Sequence, residues 1–308
     1  LELVDPNIMG NSYIGAVAGL LQNGTISNVA ASGTAAYIDG TFYNVGGLVG
    51  RNVDGTISYS HSTATVTGGS AVGGLVGLNS GFGGSVIEYS YSTGRVGDAS
   101  FYPNAHDVGG LVGVSDEIIK SSYATGSVVG GYHLGGLVGM TDSSSAPITN
   151  SYATGAVTST STSTSTSLSV GGLVGTTEST TAISKSYAIG QINVVAGAQG
   201  VGGLVGTDNS GGPSTANASY WDIQTSGLST SALGSGKTTS ELSSTTSSNG
   251  SIAPYGGWGV VTDSNLSSSY VYPVLTMTGG SPIWKIYTAV SFVITTIGFG
   301  WIGISLLQ

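Results

Sequence analysis

Between Ile14 and Gly206 the apolar positions fall in short groups, each bounded by glycine, serine or threonine. The most regular group is a hexapeptide that reads VGGLVG at Val45–Gly50, Val72–Gly77, Val108–Gly113, Val170–Gly175 and Val201–Gly206, and LGGLVG at Leu134–Gly139. A weaker copy, IGAVAG, runs from Ile14 to Gly19, and the start-to-start spacings are 31, 27, 36, 26, 36 and 31 residues. Periods of this size mark stacked supersecondary units.

A second block follows the hexapeptide: Ser60–Ala64, Ser90–Gly94, Ser122–Gly126, Ser151–Gly155 and Ser186–Gly190, of the form Ser-Tyr-Ala/Ser-Thr-Gly with variations. Each unit therefore has two fixed segments and two variable connections. The connection leading back to the hexapeptide is long at Gly97–Asp107 and at Thr158–Ser169. These two stretches occupy one equivalent place, so they are expected to protrude from one side of the stack. Thr158–Ser167 is a near-pure Ser/Thr alternation, read as a solvated loop in preference to an added edge strand.

The fixed segments are expected to be strands. They are short and rich in Val, Ile, Thr and Tyr, and each glycine would cost a helix about 1 kcal/mol. Period-two alternation sets Leu48 opposite Val45 and Val49. In a coil that turns every few residues, glycine permits tight bends and close approach of neighbouring coils. A Gly-rich disordered linker would not return Leu, Val and Tyr to the same places. One unit cannot bury its own apolar face, so stability must come from stacking, with strands paired between coils at about 4.8 Å and equivalent side chains in interior ladders. The expected fold is all-β: a parallel β-helix-like solenoid of about seven coils over residues 1–217. Its two ends must be capped, bind a partner or continue into another subunit.

The combination of VGGLVG with a following SYATG resembles the GLUG-motif repeat of bacterial and archaeal cell-surface proteins, including adhesin-like proteins and some large secreted peptidases. The resemblance covers about Gly15–Gly206. It continues in Ser219-Tyr220-Trp221-Asp222, Gly236-Lys237-Thr238, Trp258 and Tyr272-Pro273-Val274-Leu275, a series that often closes such arrays. It implies a surface location and a spacer or adhesive role, with any catalysis in those peptidases belonging to another domain. Residues 218–281 are accordingly expected to form a terminal cap of irregular β structure.

Composition narrows the function. Only 7% of residues are charged, against roughly 25% in an ordinary soluble domain. A formal net charge of −9 and six scattered cations argue against nucleic acid. There is no cysteine, which excludes disulfides and thiolate metal sites. The start at Leu1, without a basic-then-apolar leader, is expected of an exported chain whose signal peptide is gone. Sequons at Asn23, Asn217, Asn249 and Asn265 would permit glycosylation outside the cell.

Searches for chemistry return nothing catalytic. Gly236-Lys237-Thr238 lacks the first glycine and the preceding strand of a phosphate loop. His61, His106 and His133 lack zinc-ligand spacing, and His61 occupies the tyrosine position of its repeat. Asp54, Glu88, Asp107, Asp116, Asp142, Glu178 and Asp208 are scattered, mostly at expected turns, with Asp116 and Asp142 the pair that adjacent coils could bring together as acid and base. No cofactor, metal or catalytic site is expected. Tyr91, Tyr123, Tyr152 and Tyr187 read as an internal or semi-buried ladder rather than an exposed sugar-binding stripe.

Residues 282–308 form a separate apolar tail, uncharged from Ile286 to Gln308. Its length suits one membrane crossing, with Trp284 and Lys285 at the interface. Its Val, Ile, Thr and Phe content also suits a strand that adds to a neighbouring subunit, the reading favoured here. Trp284, Ile286, Val290, Phe292, Ile294, Ile297, Phe299, Trp301 and Ile304 would then be the assembly residues. The expectation is a non-enzymatic extracellular structural protein, self-associating through its chain ends into a filament or sheath. The alternative is a membrane-anchored adhesin that binds a glycan or a host or matrix ligand through the two long connections.

Overall fold

The computed structural model describes residues 1–143, 147–162, 168–243, 258–261 and 272–275. The chain winds as a parallel β-solenoid whose first, second and third sheets each have seven strands, and whose fourth sheet has nine. One coil illustrates all of them. Tyr37–Gly46 lies in the first sheet, Val49–Val53 in the second, Thr56–Ser58 in the third and His61–Ser62 in the fourth, and Thr65–Gly73 returns to the first.

The sequence repeat becomes a spatial register. Val45, Val72, Val108, Leu134, Val170 and Val201 pair in succession along the first sheet. Val49, Val76, Val112, Val138, Val174 and Val205 do so along the second. The hexapeptide is thus not the single strand that alternation predicted. Its first two residues end one strand, its last two open the next, and Gly47-Leu48 is the bend between them.

The glycines are required by backbone proximity. At Gly136 a Cβ would stand 2.9 Å from the Ala153 methyl and closer still to the Gly172 carbonyl. At Gly175 it would lie 2.7 Å from the backbone of His133 and Leu134 in the previous coil. The equivalent glycines meet the same neighbours, so opposing sheets touch through backbone and divide the interior into two apolar columns. Leu48, Val49, Ile57 and their equivalents fill one, and Ile38, Val45, Val66 and theirs fill the other. Ala16, which replaces the bend glycine in the first copy, packs against both columns.

Two further columns run through every coil in the left-handed backbone region. One precedes the hexapeptide at Tyr13, Asn44, Ala71, Asp107, His133 and Ser169, with φ between 47° and 59°. The other precedes the second block at Asn28, Tyr59, Tyr89, Ser121, Asn150, Lys185 and Ala218. For non-glycine residues this conformation costs roughly 1–2 kcal/mol each. At the second column it is offset by a serine ladder. The amides of Ser60, Ser90, Ser122, Ser151 and Ser186 each donate to the serine hydroxyl of the next coil at 3.2–3.3 Å. Each hydroxyl from Ser60 to Ser219 donates in turn to the carbonyl two residues before it. The fixed serine of the second block is therefore a hydrogen-bonding element.

The tyrosines form the semi-buried ladder expected of them, with Tyr91 and Tyr123 half-buried and Tyr152 and Tyr187 buried. Ser62, Ser92, Ala124, Ala153 and Ala188 are buried at 0–2% exposure and point inward, so by alternation their tyrosine neighbours point out. His61, Tyr91, Tyr123, Tyr152 and Tyr187 stack nearly coplanar at centroid spacings of 4.5–5.1 Å. Lys237 lies 5.9 Å from the Tyr220 ring at the end of this column.

After the last hexapeptide, Ser231 Oγ accepts from the Leu204 and Val205 amides, and Ser235–Lys237 pairs in parallel with Tyr220–Asp222. Trp221 occupies the small-residue position and its indole N–H donates to the Leu228 carbonyl at 3.0 Å. This region is not purely β, because two helical turns, Ile223–Ser226 and Thr239–Ser243, lie within it. Residues 282–308 lie outside the described residues.

Replacing Gly136 by Ala forces backbone apart in two coils and is expected to destabilise by about 2–3 kcal/mol. Gly211→Ala, where nothing lies within 4 Å but φ is +63°, should cost only about 1 kcal/mol. Ser122→Ala strips the buried Ser90 amide of its acceptor and should cost about 1–3 kcal/mol. Urea unfolding of the three variants checks this order.

Candidate functional site: an aromatic groove beside the long connections

Unequal coil lengths carve a groove into the first sheet. The coil that returns through Thr65–Gly73 is short, and its neighbours on either side are longer. Against it, the strand Tyr37–Gly46 carries a one-residue bulge: Gly68 pairs with Gly40, yet Ser70 pairs with Tyr43. The extra residue lifts Thr41, Phe42 and Tyr43 outward as one wall. Gly69 makes the bulge fit, since a Cβ there would come 2.7 Å from the Phe42 carbonyl. The opposite wall is the connection Gly97–Asp107, which projects from the stack. Gly69 and Ser70 form the floor of a shallow, largely open depression of about 740 Å³.

Both walls are fixed. Asp98 Oδ1 accepts from the Ser100 and Phe101 amides at 2.7 and 3.3 Å, folding the connection into a tight turn. The Tyr102 hydroxyl reaches across the short coil and donates to Asp39 Oδ1 at 2.9 Å, where Thr67 Oγ1 also donates at 2.7 Å. Burial, with this hydrogen bond, pushes the Tyr102 phenol up to about 12. The two long connections meet, because Thr160 Oγ1 donates to the Pro103 carbonyl. Phe42, Tyr43 and Phe101 nevertheless stay 57%, 46% and 74% exposed.

At the floor of the far wall, two histidines clamp one carboxylate. Asp107 Oδ2 lies 2.8 Å from His106 Nδ1, and Oδ1 lies 2.7 Å from His133 Nδ1 in the next coil. Burial pushes Asp107 upward, but hydrogen bonds from both histidines outweigh it and hold the carboxyl at about 2. His106 is raised above its usual range by the hydrogen bond to Asp107, against burial. Neither the clamp nor the groove wall at Thr41–Tyr43 was legible beforehand, because each joins residues from coils of unequal length.

The remaining candidates are placed as follows. His61 stacks on Tyr91 at 4.5 Å, in the packing position expected of it. Asp116 is raised to about 6 by burial first, then by the charges of Asp142 and Glu117. Asp116 Oδ1 and Glu117 Oε2 are buried without a hydrogen-bond partner. Among the described residues no three His, Asp or Glu converge as a metal site. Asp54, Asp116, Asp142 and Glu178 lie between strands, in keeping with the expectation that these acids are mostly at turns, while Glu88, Asp107 and Asp208 belong to strands. Lys237 lies 3.5 Å from Glu241. Asn23 and Asn217 are exposed, while Asn249 and Asn265 and all the tail residues named above lie outside the described residues.

The clamp sets a pH dependence. Asp107 has a folded value below its unfolded value of about 3.9, so its contribution is present above that pH and lost as pH falls toward 2. His106 has a raised value, so its contribution is complete below about 6.5 and lost as pH rises through the folded value. Asp107→Asn should therefore cost most between about pH 4 and 6.5, by roughly 2 kcal/mol, and less on either side. Chemical denaturation of both proteins across this range measures the difference.

The profile of the GLUG motif matches residues 43–67 and 68–97, the two coils that build the near wall and floor of the groove. Halomucin of Haloquadratum walsbyi is 36% identical over 186 residues, which cover 56% of this chain and 2% of halomucin. The chain thus spans a small fraction of the length of that relative. No solved structure matches. With the hexapeptide in register through the stack and the motif profile matching consecutive coils, the chain is a parallel β-solenoid that carries the GLUG motif.

Proposed function

We propose that this chain is an extracellular, non-enzymatic structural protein of the cell surface, a rigid spacer that associates through the ends of its stack. The carrying observation is the in-register pairing of parallel strands along the whole stack, which makes a rod that is stiff along its axis. At the far end, Ser231 and Ser235–Lys237 lie over part of the last coil, while Val201–Gly202 and Thr215–Asn217 are the outermost strands of their sheets among the described residues. At the near end, Glu2–Val4, Asn7–Gly10, Ala18–Gln22 and Thr25–Ser27 are each the outermost strand of their sheet among the described residues. Unpaired strand edges accept further strands. An almost charge-free surface rich in Ser and Thr suits a packed surface layer, and the GLUG motif and the similarity to halomucin support that setting.

On this reading the tail Trp284–Ile304 of one subunit supplies the strand that the near end of another receives. The second reading, adhesion through the long connections, is favoured by the exposed aromatic groove.

Removing residues 282–308 should leave a folded monomer where the full chain forms assemblies, as followed by sedimentation and electron microscopy. Assemblies that persist without the tail, or are merely released from membranes, would overturn the assembly role.

A further inference from the structure

We infer that the groove between Phe42 and Phe101 binds neutral pyranose units of a glycan. This rests on the adhesive reading and names its ligand class.

Three observations carry it. First, two phenyl rings on opposite walls remain more than half exposed, although the backbone holding them is locked by the bulge at Thr41–Tyr43 and the turn at Asp98. Apolar rings fixed in an open cleft, and not folded back onto the stack, present faces to a ligand. Second, the rim is polar and almost uncharged. Thr41, Ser70 and Asn104 line it, and its one titratable nitrogen pair belongs to His106, whose Nδ1 is already engaged by Asp107. With His106 paired to the Asp107 carboxylate, the lining offers an ionic ligand no unpaired counter-charge, which favours a molecule that combines C–H faces with neutral hydroxyls. A pyranose ring has both. Third, the site is held in place before any ligand arrives: the Tyr102–Asp39 hydrogen bond ties one wall to the other, and contact with Thr160 braces the far wall. Ordering entropy is therefore largely spent in folding.

The tyrosine column is the competing surface for sugars, and it fits less well. Its rings stack face to face at 4.5–5.1 Å, so their faces cover one another, whereas the phenylalanines keep theirs free.

The test is a glycan array of neutral and acidic oligosaccharides probed with the full chain, followed by titration of the best hits with wild type, Phe42→Ala/Phe101→Ala and Asn104→Ala. Both phenylalanines are exposed, so the double variant should unfold at the wild-type temperature while losing tenfold or more in affinity. Binding should change less than about twofold between low and high salt, as screening predicts for an uncharged ligand. Absence of any neutral-glycan binding, preference for charged polymers, or hits indifferent to the double variant would each overturn the inference. Adhesion of cells or matrix to the same proteins separates the two levels. Adhesion lost in the double variant without glycan binding sinks the ligand class alone, and adhesion unaffected by it sinks the adhesive role of the groove as well.

Discussion

Backbone-to-backbone contact across the bend of the hexapeptide is the constraint on which the rest depends. Where the bend glycines meet the Ser/Ala column of the fourth sheet there is no room for a Cβ. The interior is consequently two separate apolar columns, each filled by a few side chains per coil, and not a single broad core. A core this thin gives one coil little to bury, so each coil depends on the pair beside it. In-register stacking then lets polar residues cooperate. Serine hydroxyls, asparagine amides and tyrosine rings repeat along columns in which each residue contacts its counterpart in the next coil.

The same arrangement explains how so few charges suffice. Buried polar atoms in this stack are mostly hydroxyls and amides bonded to the next coil: Asn52 Nδ2 donates to Asn79 Oδ1, and Asn79 Nδ2 to Ser115 Oγ. Such groups lose less on leaving water than charges do, provided each finds a partner. The exceptions are local. Asp107 is stabilised by two histidines from different coils, the Asp116–Glu117 pair keeps two carboxylate oxygens without hydrogen-bond partners, and Asn52 Oδ1, Ser92 Oγ and Thr225 Oγ1 are likewise buried without one.

Features with potential for function arise where the repeat is broken. Coils of equal length would give a smooth first sheet. The short Thr65–Gly73 return between two longer ones leaves a trough, and the bulge opposite Gly69 raises its wall. The stack supplies rigidity and the irregular connections supply shape, a division common to solenoid proteins.

The sequence alone determined the stack. Six copies of a glycine-rich hexapeptide at uneven but bounded spacing already imply parallel coils, because only lateral stacking gives such residues a shared interior. It also placed the tyrosine ladder, the packing role of His61 and the side from which Gly97–Asp107 projects. It did not determine where strands break within the hexapeptide, since period two is equally compatible with a strand and with two strand ends joined by a bend. The left-handed columns were hidden because Tyr, Asn, Ser, Lys and Ala all occupy them, held there by neighbouring coils and not by their own preference. The groove and the Asp107 clamp were decided by tertiary structure for a related reason: Phe42 and Phe101 come to line one groove, and Asp107 meets His133, only after the register of successive coils fixes how much chain each one leaves over.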